Sequence, residues 1–131
     1  MIVVDSSALI AILTDEPERL MFLGRLARAD DVALSAVTRR ETGIVIARRS
    51  REAGLAALAR LLAELDARVV PFDETQAVSA IAAYQIFGKS FHSKAKLNFG
   101  DCASYALAKA LDAPLLYKGD DFSQTDIISA L

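Results

Sequence analysis

The chain has 131 residues and a formal charge of −2, from 15 Lys and Arg against 17 Asp and Glu. That length favours one domain with its own core, residues 1–131. The near-balanced charge excludes a globally basic nucleic-acid binder; a polyanion must find its Lys and Arg gathered on one face. Hydrophobic residues make up 53%, above the usual ~45–50%, and the mean hydropathy is +0.31. Some apolar surface is therefore expected to lie under a partner or a second copy.

A single cysteine, Cys102, excludes an internal disulfide, and with His92 the one histidine, a Cys₄ or Cys₂His₂ zinc site is excluded too. The N-terminus lacks a basic region and Asp5 interrupts its apolar stretch, which speaks against a signal peptide. No apolar run reaches the roughly 18 residues a membrane span needs, so a cytoplasmic protein without membrane contact is expected.

In chain order, residues 1–5 read as a buried strand, and Ser6 and Ser7 as caps for a helix from about Ala8 to Leu13. Asp15-Glu16-Pro17 punctuates it and opens a helix over about 17–29. Val32-Ala33-Leu34-Ser35 reads as the second strand, with Ser35 capping a helix from about Ala36 to Arg49, and a further helix covers about 51–65. Arg68-Val69-Val70-Pro71 is a third strand, and Asp73 caps a helix over about 74–87. Gly88 to Gly100 is a basic loop, residues 101–111 a helix, and Ala113-Pro114-Leu115-Leu116 a fourth strand, with a short fifth near Asp126-Ile127-Ile128. Strands alternating with helices predict an α/β fold, a three-layer α/β/α sandwich around a central, mostly parallel sheet.

In such a sheet the strand carboxyl ends share one edge, where ligands bind. Asp5 closes the first strand and is followed by small residues that leave room for a ligand; its plainer role is a helix-end acid stabilised by the dipole. Glu41 shares a helical face with Val37, Ile44, Val45 and Arg48. If those apolar residues face the core, Glu41 sits at the rim of a buried region, where a carboxylate needs a cation or hydrogen bonds; pairing with Arg40 or Arg48 is the plainer reading. Asp101 opens a helix of small apolar residues that packs close to a sheet, and doubles as a cap. Asp120 and Asp121 follow the fourth strand in what is otherwise an ordinary Gly-Asp turn, with Phe122 an anchor that packs the loop.

Carboxylates so gathered repel by roughly 4 kcal/mol per pair at ~4 Å and an effective dielectric of ~20. An all-oxygen cluster suits Mg²⁺ or Mn²⁺, and such an ion suits phosphodiester hydrolysis. Arg39, Arg40, Arg48, Arg49 and Arg51 border Glu41, while Lys89, His92, Lys94 and Lys96 interleave with Phe87, Phe91 and Phe99. Both groups flank the proposed acids, as a polyanion path requires, although solvated charge explains them equally simply. A Ser-His-Asp triad fits poorly: only His92 is on hand and no G-x-S-x-G elbow exists. Cys102, beside Asp101, is a packing residue rather than a nucleophile.

Together these segments resemble the PIN-domain ribonuclease family, specifically the VapC-type toxins of type II toxin–antitoxin pairs. The resemblance rests on Val4-Asp5-Ser6-Ser7-Ala8-Leu9 with Asp15-Glu16-Pro17-Glu18, on Ser35-Ala36-Val37 leading to Glu41-Thr42-Gly43, on Leu97-Asn98-Phe99-Gly100-Asp101-Cys102 with Tyr105-Ala106-Leu107-Ala108, and on Leu115-Leu116 through Gly119-Asp120-Asp121-Phe122 to Thr125-Asp126. It covers nearly the whole chain. It implies a PIN-like fold and a Mg²⁺- or Mn²⁺-dependent endoribonuclease that acts on RNA and dimerises. It also implies neutralisation by a VapB-like antitoxin that wraps the toxin and can place a basic residue in the acidic pocket. By position, Asp5 and Asp101 would be the principal metal ligands, with Glu41 and Asp121 completing the set; Asp121 is preferred to Asp120 because the acid directly before Phe is the more regular family feature. One departure is Gly88-Lys89-Ser90-Phe91-His92-Ser93-Lys94, which lacks a His-Pro pair common in related toxins. Rival readings are a structure-specific DNA nuclease, an Asp-nucleophile phosphatase, and a Mg²⁺-binding phosphoacceptor or interaction domain without nuclease activity. The first lacks helical-arch segments, the second finds Ser7 where its second acid belongs, and the third lacks an early acidic pair.

Overall fold

The first three strands are short runs of β-branched and aliphatic residues, each released into a helix by a polar residue. In the computed structural model, which describes residues 1–92 and 94–131, the elements are β1 (Ile2–Val4), α1 (Ser6–Leu13), α2 (Arg19–Ala27), β2 (Val32–Ser35), α3 (Ala36–Glu64), β3 (Arg68–Val70), α4 (Glu74–Phe87), α5 (Phe99–Ala110) and β4 (Leu115–Leu116). Ser93, in the expected basic loop, lies outside the described residues. No helix among the described residues is long and apolar enough to cross a membrane.

The four strands form one parallel sheet in the order β3-β2-β1-β4. From β1 the chain steps outward through β2 to β3, then crosses to the far side of β1 to lay down β4. The strand order therefore reverses between β1 and β4, which opens a crevice at their carboxyl ends. Side chains alternate across each strand. Ile2, Val4, Val32, Leu34 and Leu116 face a core shared with Leu9, Phe22, Leu26 and the Leu58-Leu61-Leu62 stretch of α3. Val3 and Leu115 face a second core shared with Ala83, Leu107 and Phe122 from α4, α5 and the last loop. Helices on both faces of a parallel sheet give the expected three-layer α/β/α sandwich.

Several local expectations are corrected. Asp5, rather than Ser6 or Ser7, caps α1, because its carboxylate accepts the Ser7 N–H and lets the helix start at Ser6. Asn98, rather than Asp101, caps α5: its side chain accepts the Asp101 N–H, while the Asp101 carboxylate takes the Asn98 N–H in return. The two helices expected over 36–49 and 51–65 are, by contrast, both present: they meet at a kink at Arg51 (φ 48°, ψ −131°) and are carried together as α3. No fifth strand forms near 126–128; a single parallel bridge joins Leu115 to Ser129. Asp126 is instead drawn to α5, accepting from the Tyr105 hydroxyl at 2.7 Å and Lys109 Nζ at 2.9 Å.

The bend in α3 sends its first half across α5 and its second half onto the opposite core. Gly54 makes that possible, since a Cβ there would lie 2.5 Å from the Ile46 side chain. Gly54→Leu should therefore destabilise the protein by about 1–3 kcal/mol, the usual cost of overpacking, read as a lower urea midpoint. A midpoint equal to wild type would show that the two halves of α3 do not depend on this contact.

Candidate active site

Asp5 sits where β1 ends beside β4, its backbone N–H donating to the Leu116 carbonyl at 2.9 Å. It is only 2% exposed, so its carboxylate needs partners. Oδ2 accepts the Ser7 N–H at 3.0 Å and the Ser7 hydroxyl at 2.6 Å, and Oδ1 accepts the Ser104 hydroxyl at 2.6 Å. The Ser7 hydroxyl in turn accepts the Lys118 N–H at 3.0 Å, which ties the exits of β1 and β4 together.

Glu41 arrives from α3 and lies against Gly100 at the start of α5. A Cβ on Gly100 would collide with Glu41 Oε2, so only glycine lets this carboxylate lean over the helix end next to Asp101. The reason for Glu41's placement differs from the expected one. Ile44 is half exposed, and Val37 and Val45 are only partly buried; the buried face of this half of α3 is Thr38, Thr42 and Ile46. Val45, Ile44 and Glu41 instead line an open cleft of about 340 Å³ with Arg40 and Phe99. Burial raises the Glu41 pKa, nearby Asp5 raises it further, and the Ser6 side chain and Arg40 pull the other way.

Asp101 is nearly buried on α5. Desolvation, opposed by the Asn98 N–H and reinforced by Asp5, Asp121 and Glu41, pushes its pKa up to about 7. Asp5, Glu41 and Asp121 each lie close enough to Asp101 to raise its pKa, and Asp5 close enough to Glu41 to do the same. Asp120 is not among the groups acting on Asp101; its carbonyl is occupied by the Ser123 N–H at 3.1 Å and hydroxyl at 2.7 Å. Of the two adjacent acids, Asp121 is the one whose charge reaches Asp101.

No ion pair within the described residues neutralises this cluster, although Arg40 acts on Glu41 from a distance. None of the four acids takes part in an ion pair, and Lys118, the cation at the β4 exit, is held by Glu16 and by Glu18 at 3.2 Å. Those acids raise the Lys118 pKa, and Lys118 lowers that of Glu16. Among the described residues, no three His, Cys, Asp or Glu side chains are drawn together tightly enough to hold a metal ion as they stand. The donor set is nonetheless all oxygen, partly desolvated and uncompensated, and that chemistry fits a hard divalent cation.

Arg40, Arg48, Arg49 and Arg51 are exposed on α3, and Lys89, Lys94 and Lys96 on the loop before α5; of these, Arg40 shares the cleft with Glu41. His92 serves to shape that loop, because its Nδ1 accepts the N–H groups of Lys94 at 3.0 Å and Ala95 at 2.7 Å. Cys102 is buried, with its thiol pushed up to about 11 by desolvation and by Asp101, in keeping with a packing role. Phe122 is buried against Tyr117, ring centres 5.0 Å apart, and anchors the Asp120-Asp121 loop. A larger apolar groove of about 690 Å³ runs from the cleft between α3, α4 and α5, past Phe99, Ile81 and Phe91. The exposed apolar residues thus concentrate on α4 and its flanking loops, with Val78, Ile81 and Ile86 all more than half exposed.

Sequence reasoning passed over Gly100, Ser104 and Thr38. A signal for two of them was present: Ser104 lies three residues after Asp101, and Thr38 three before Glu41, spacings that share a helical face with the acids.

The chain matches the PIN domain family over residues 2–128. It is 45% identical over 129 residues to ribonuclease VapC28 of Mycobacterium tuberculosis, spanning 98% of this chain and 97% of that protein. It is 44% identical over 125 residues to the ribonuclease VapC of Mycolicibacterium smegmatis, spanning 95% and 96%. Among solved structures, M. tuberculosis VapC20, a sarcin–ricin-loop-cleaving toxin, superposes with a TM-score of 0.80 at 19% identity over 98% of this chain and 97% of that one. VapBC2 of Rickettsia felis, bound to a DNA fragment from its promoter, gives 0.75 at 15% over 98% and 96%. At those identities the structural likeness speaks for the fold, whereas the curated relatives speak for the lineage. The chain belongs to the PIN-domain family, among its VapC ribonucleases.

Proposed function

We propose that residues 1–131 act as one nuclease domain, a divalent-cation-dependent endoribonuclease that is the toxin of a toxin–antitoxin pair. The observation that carries this reading is the convergence of Asp5, Glu41, Asp101 and Asp121, without a counter-cation among the described residues, at the β1–β4 switch point. The kinship with VapC ribonucleases supplies the substrate class, RNA. Asp5 and Asp101 would hold the ion, with Glu41 and Asp121 completing its acidic surroundings; Mg²⁺ is the expected ion and Mn²⁺ a substitute. When bound, the ion offsets the carboxylate charge, polarises the phosphate and makes water a stronger nucleophile.

The protein's own residues supply the rest. Asp5 is clamped by Ser7 and Ser104 and is held in one orientation. Glu41, whose proton affinity is raised by burial, is suited to accept a proton from the attacking water. Arg40, exposed beside Glu41 in the cleft, is placed to bind a flanking phosphate. The neighbouring apolar groove suits a protein partner. A VapB-like antitoxin is proposed there on the strength of related assemblies, a toxin–antitoxin complex from Klebsiella pneumoniae and the R. felis VapBC2 complex. A homodimer and a cytoplasmic setting complete the proposal.

With Mg²⁺, the intact protein free of antitoxin should cleave RNA from a total pool, and EDTA should abolish cleavage. Asp5→Asn or Asp101→Asn should slow it about 100-fold or more, equivalent to roughly 3 kcal/mol of barrier. Cleavage that persists in EDTA, or in both variants, would rule the cation out of the reaction.

The raised acids also predict a stability trade-off. Asp101 keeps its proton in the folded state up to about pH 7 but loses it near 3.8 when unfolded. The folded state therefore binds more protons between those values, and stability falls as pH rises through that window. In EDTA at pH 8, Asp101→Asn should melt several degrees above wild type, while near pH 4 the two should converge. A variant that melts at or below wild type at pH 8 would show that Asp101 is not under electrostatic strain.

A further inference from the structure

Two buried hydroxyls have no part in the cleavage chemistry, yet they lead directly to it. Ser104 on α5 and Thr38 on α3 are 0% and 1% exposed. Their oxygens lie 3.0 Å apart, and Ser104 Oγ lies 2.6 Å from Asp5 Oδ1. An ionised carboxylate can only accept, and a serine hydroxyl has one proton. Ser104 therefore donates to Asp5, and the Thr38 hydroxyl must donate to Ser104. We propose that Thr38 and Ser104 form a one-way hydroxyl relay that orients the Asp5 carboxylate toward the cation, which makes both of them positioning residues. This rests on the reading of Asp5 as a cation ligand.

Three features favour orientation over simple mutual satisfaction of two buried groups. First, the relay joins the three elements that carry acids: Thr38 lies three residues before Glu41 on α3, Ser104 three after Asp101 on α5, and Asp5 ends β1. Second, Ser7 already donates twice to Asp5 Oδ2. With Ser104 on Oδ1, three of the carboxylate's roughly four acceptor sites are filled, and turning the carboxylate breaks all three bonds. Third, the partner of a ligand fixes its orientation and basicity, and losing such a partner typically costs about 10–100-fold in metal affinity.

The test is Mn²⁺ binding to the full chain, measured by electron paramagnetic resonance at pH 8, with thermal melts in EDTA to verify folding. Ser104→Ala should weaken binding about tenfold. The isosteric Thr38→Val should weaken it less, about threefold, because Ser104 keeps its own bond to Asp5. Thr38→Ser, which retains the hydroxyl, should bind as wild type. Since Thr38 acts only through Ser104, the double variant should bind no more weakly than Ser104→Ala alone, a non-additivity that independent packing effects do not produce. If Ser104→Ala fails to fold, the contrast between Thr38→Val and Thr38→Ser decides. Wild-type affinity in Ser104→Ala or in Thr38→Val, or losses that multiply in the double variant, would overturn the relay. Failure of the wild-type protein to bind Mn²⁺ would instead overturn the reading of the site on which the relay depends.

Discussion

The structure depends on keeping like charges close together at a crevice where two of them, Asp5 and Asp101, are buried from water. Each acid is held by something the fold needs anyway. Asp5 caps α1. Asp101 closes the capping box of α5. Glu41 leans over a glycine that has no side chain to obstruct it. Asp121 rides a loop pinned by buried Phe122. The hydrogen bonds that build the helix ends thus also hold the carboxylates in place, and burial first, with repulsion from the neighbouring acids added, pushes the Asp101 pKa up to about 7. In the proposed reading, a cation that enters would relieve a strain already present, and its binding would be coupled to the stability of the whole molecule.

The sheet order makes this convergence possible. Because β1 and β4 are neighbours although most of the chain separates them, the residues after each strand meet across one crevice. The bent α3 then brings Glu41 to the crevice with its first half while its second half packs on the other core. Fold stability and site geometry are therefore joined at the bend and at the two glycines that permit close approach, Gly54 and Gly100.

Much of this was legible in the residues themselves. The strand–helix alternation predicts the sandwich, and the acids at strand ends and helix starts predict a shared edge. What the sequence concealed were matters of competition between neighbours. Ser6, Ser7 and Asp5 are all good caps, and only the strand's exit geometry decides for Asp5. Asn98 and Asp101 can each start a helix, and here they do so reciprocally. The apolar face that points to Glu41 lies open instead, Ile44 and Val45 lining its cleft and Val37 the neighbouring groove, while Thr38 and Thr42 take the buried side. Thr38 is satisfied there by Ser104, and polar residues that satisfy one another can enter a core and displace the apolar pattern from it; Thr42 Oγ1 has no such partner among the described residues. The same effect hid Ser104, a small polar residue in a helix that otherwise reads as packing.

That these carboxylates form one electrostatic unit awaiting a cation is tested most directly by following the Asp101 carboxyl carbon by ¹³C NMR through a pH titration, without and with saturating Mg²⁺. The expected midpoint is near 7 in the metal-free protein, falling by about 1–3 units when Mg²⁺ is present, as an opposite charge within a few ångströms requires. A midpoint near the ordinary aspartate value of 3.8 in both conditions, or one indifferent to Mg²⁺, would contradict it.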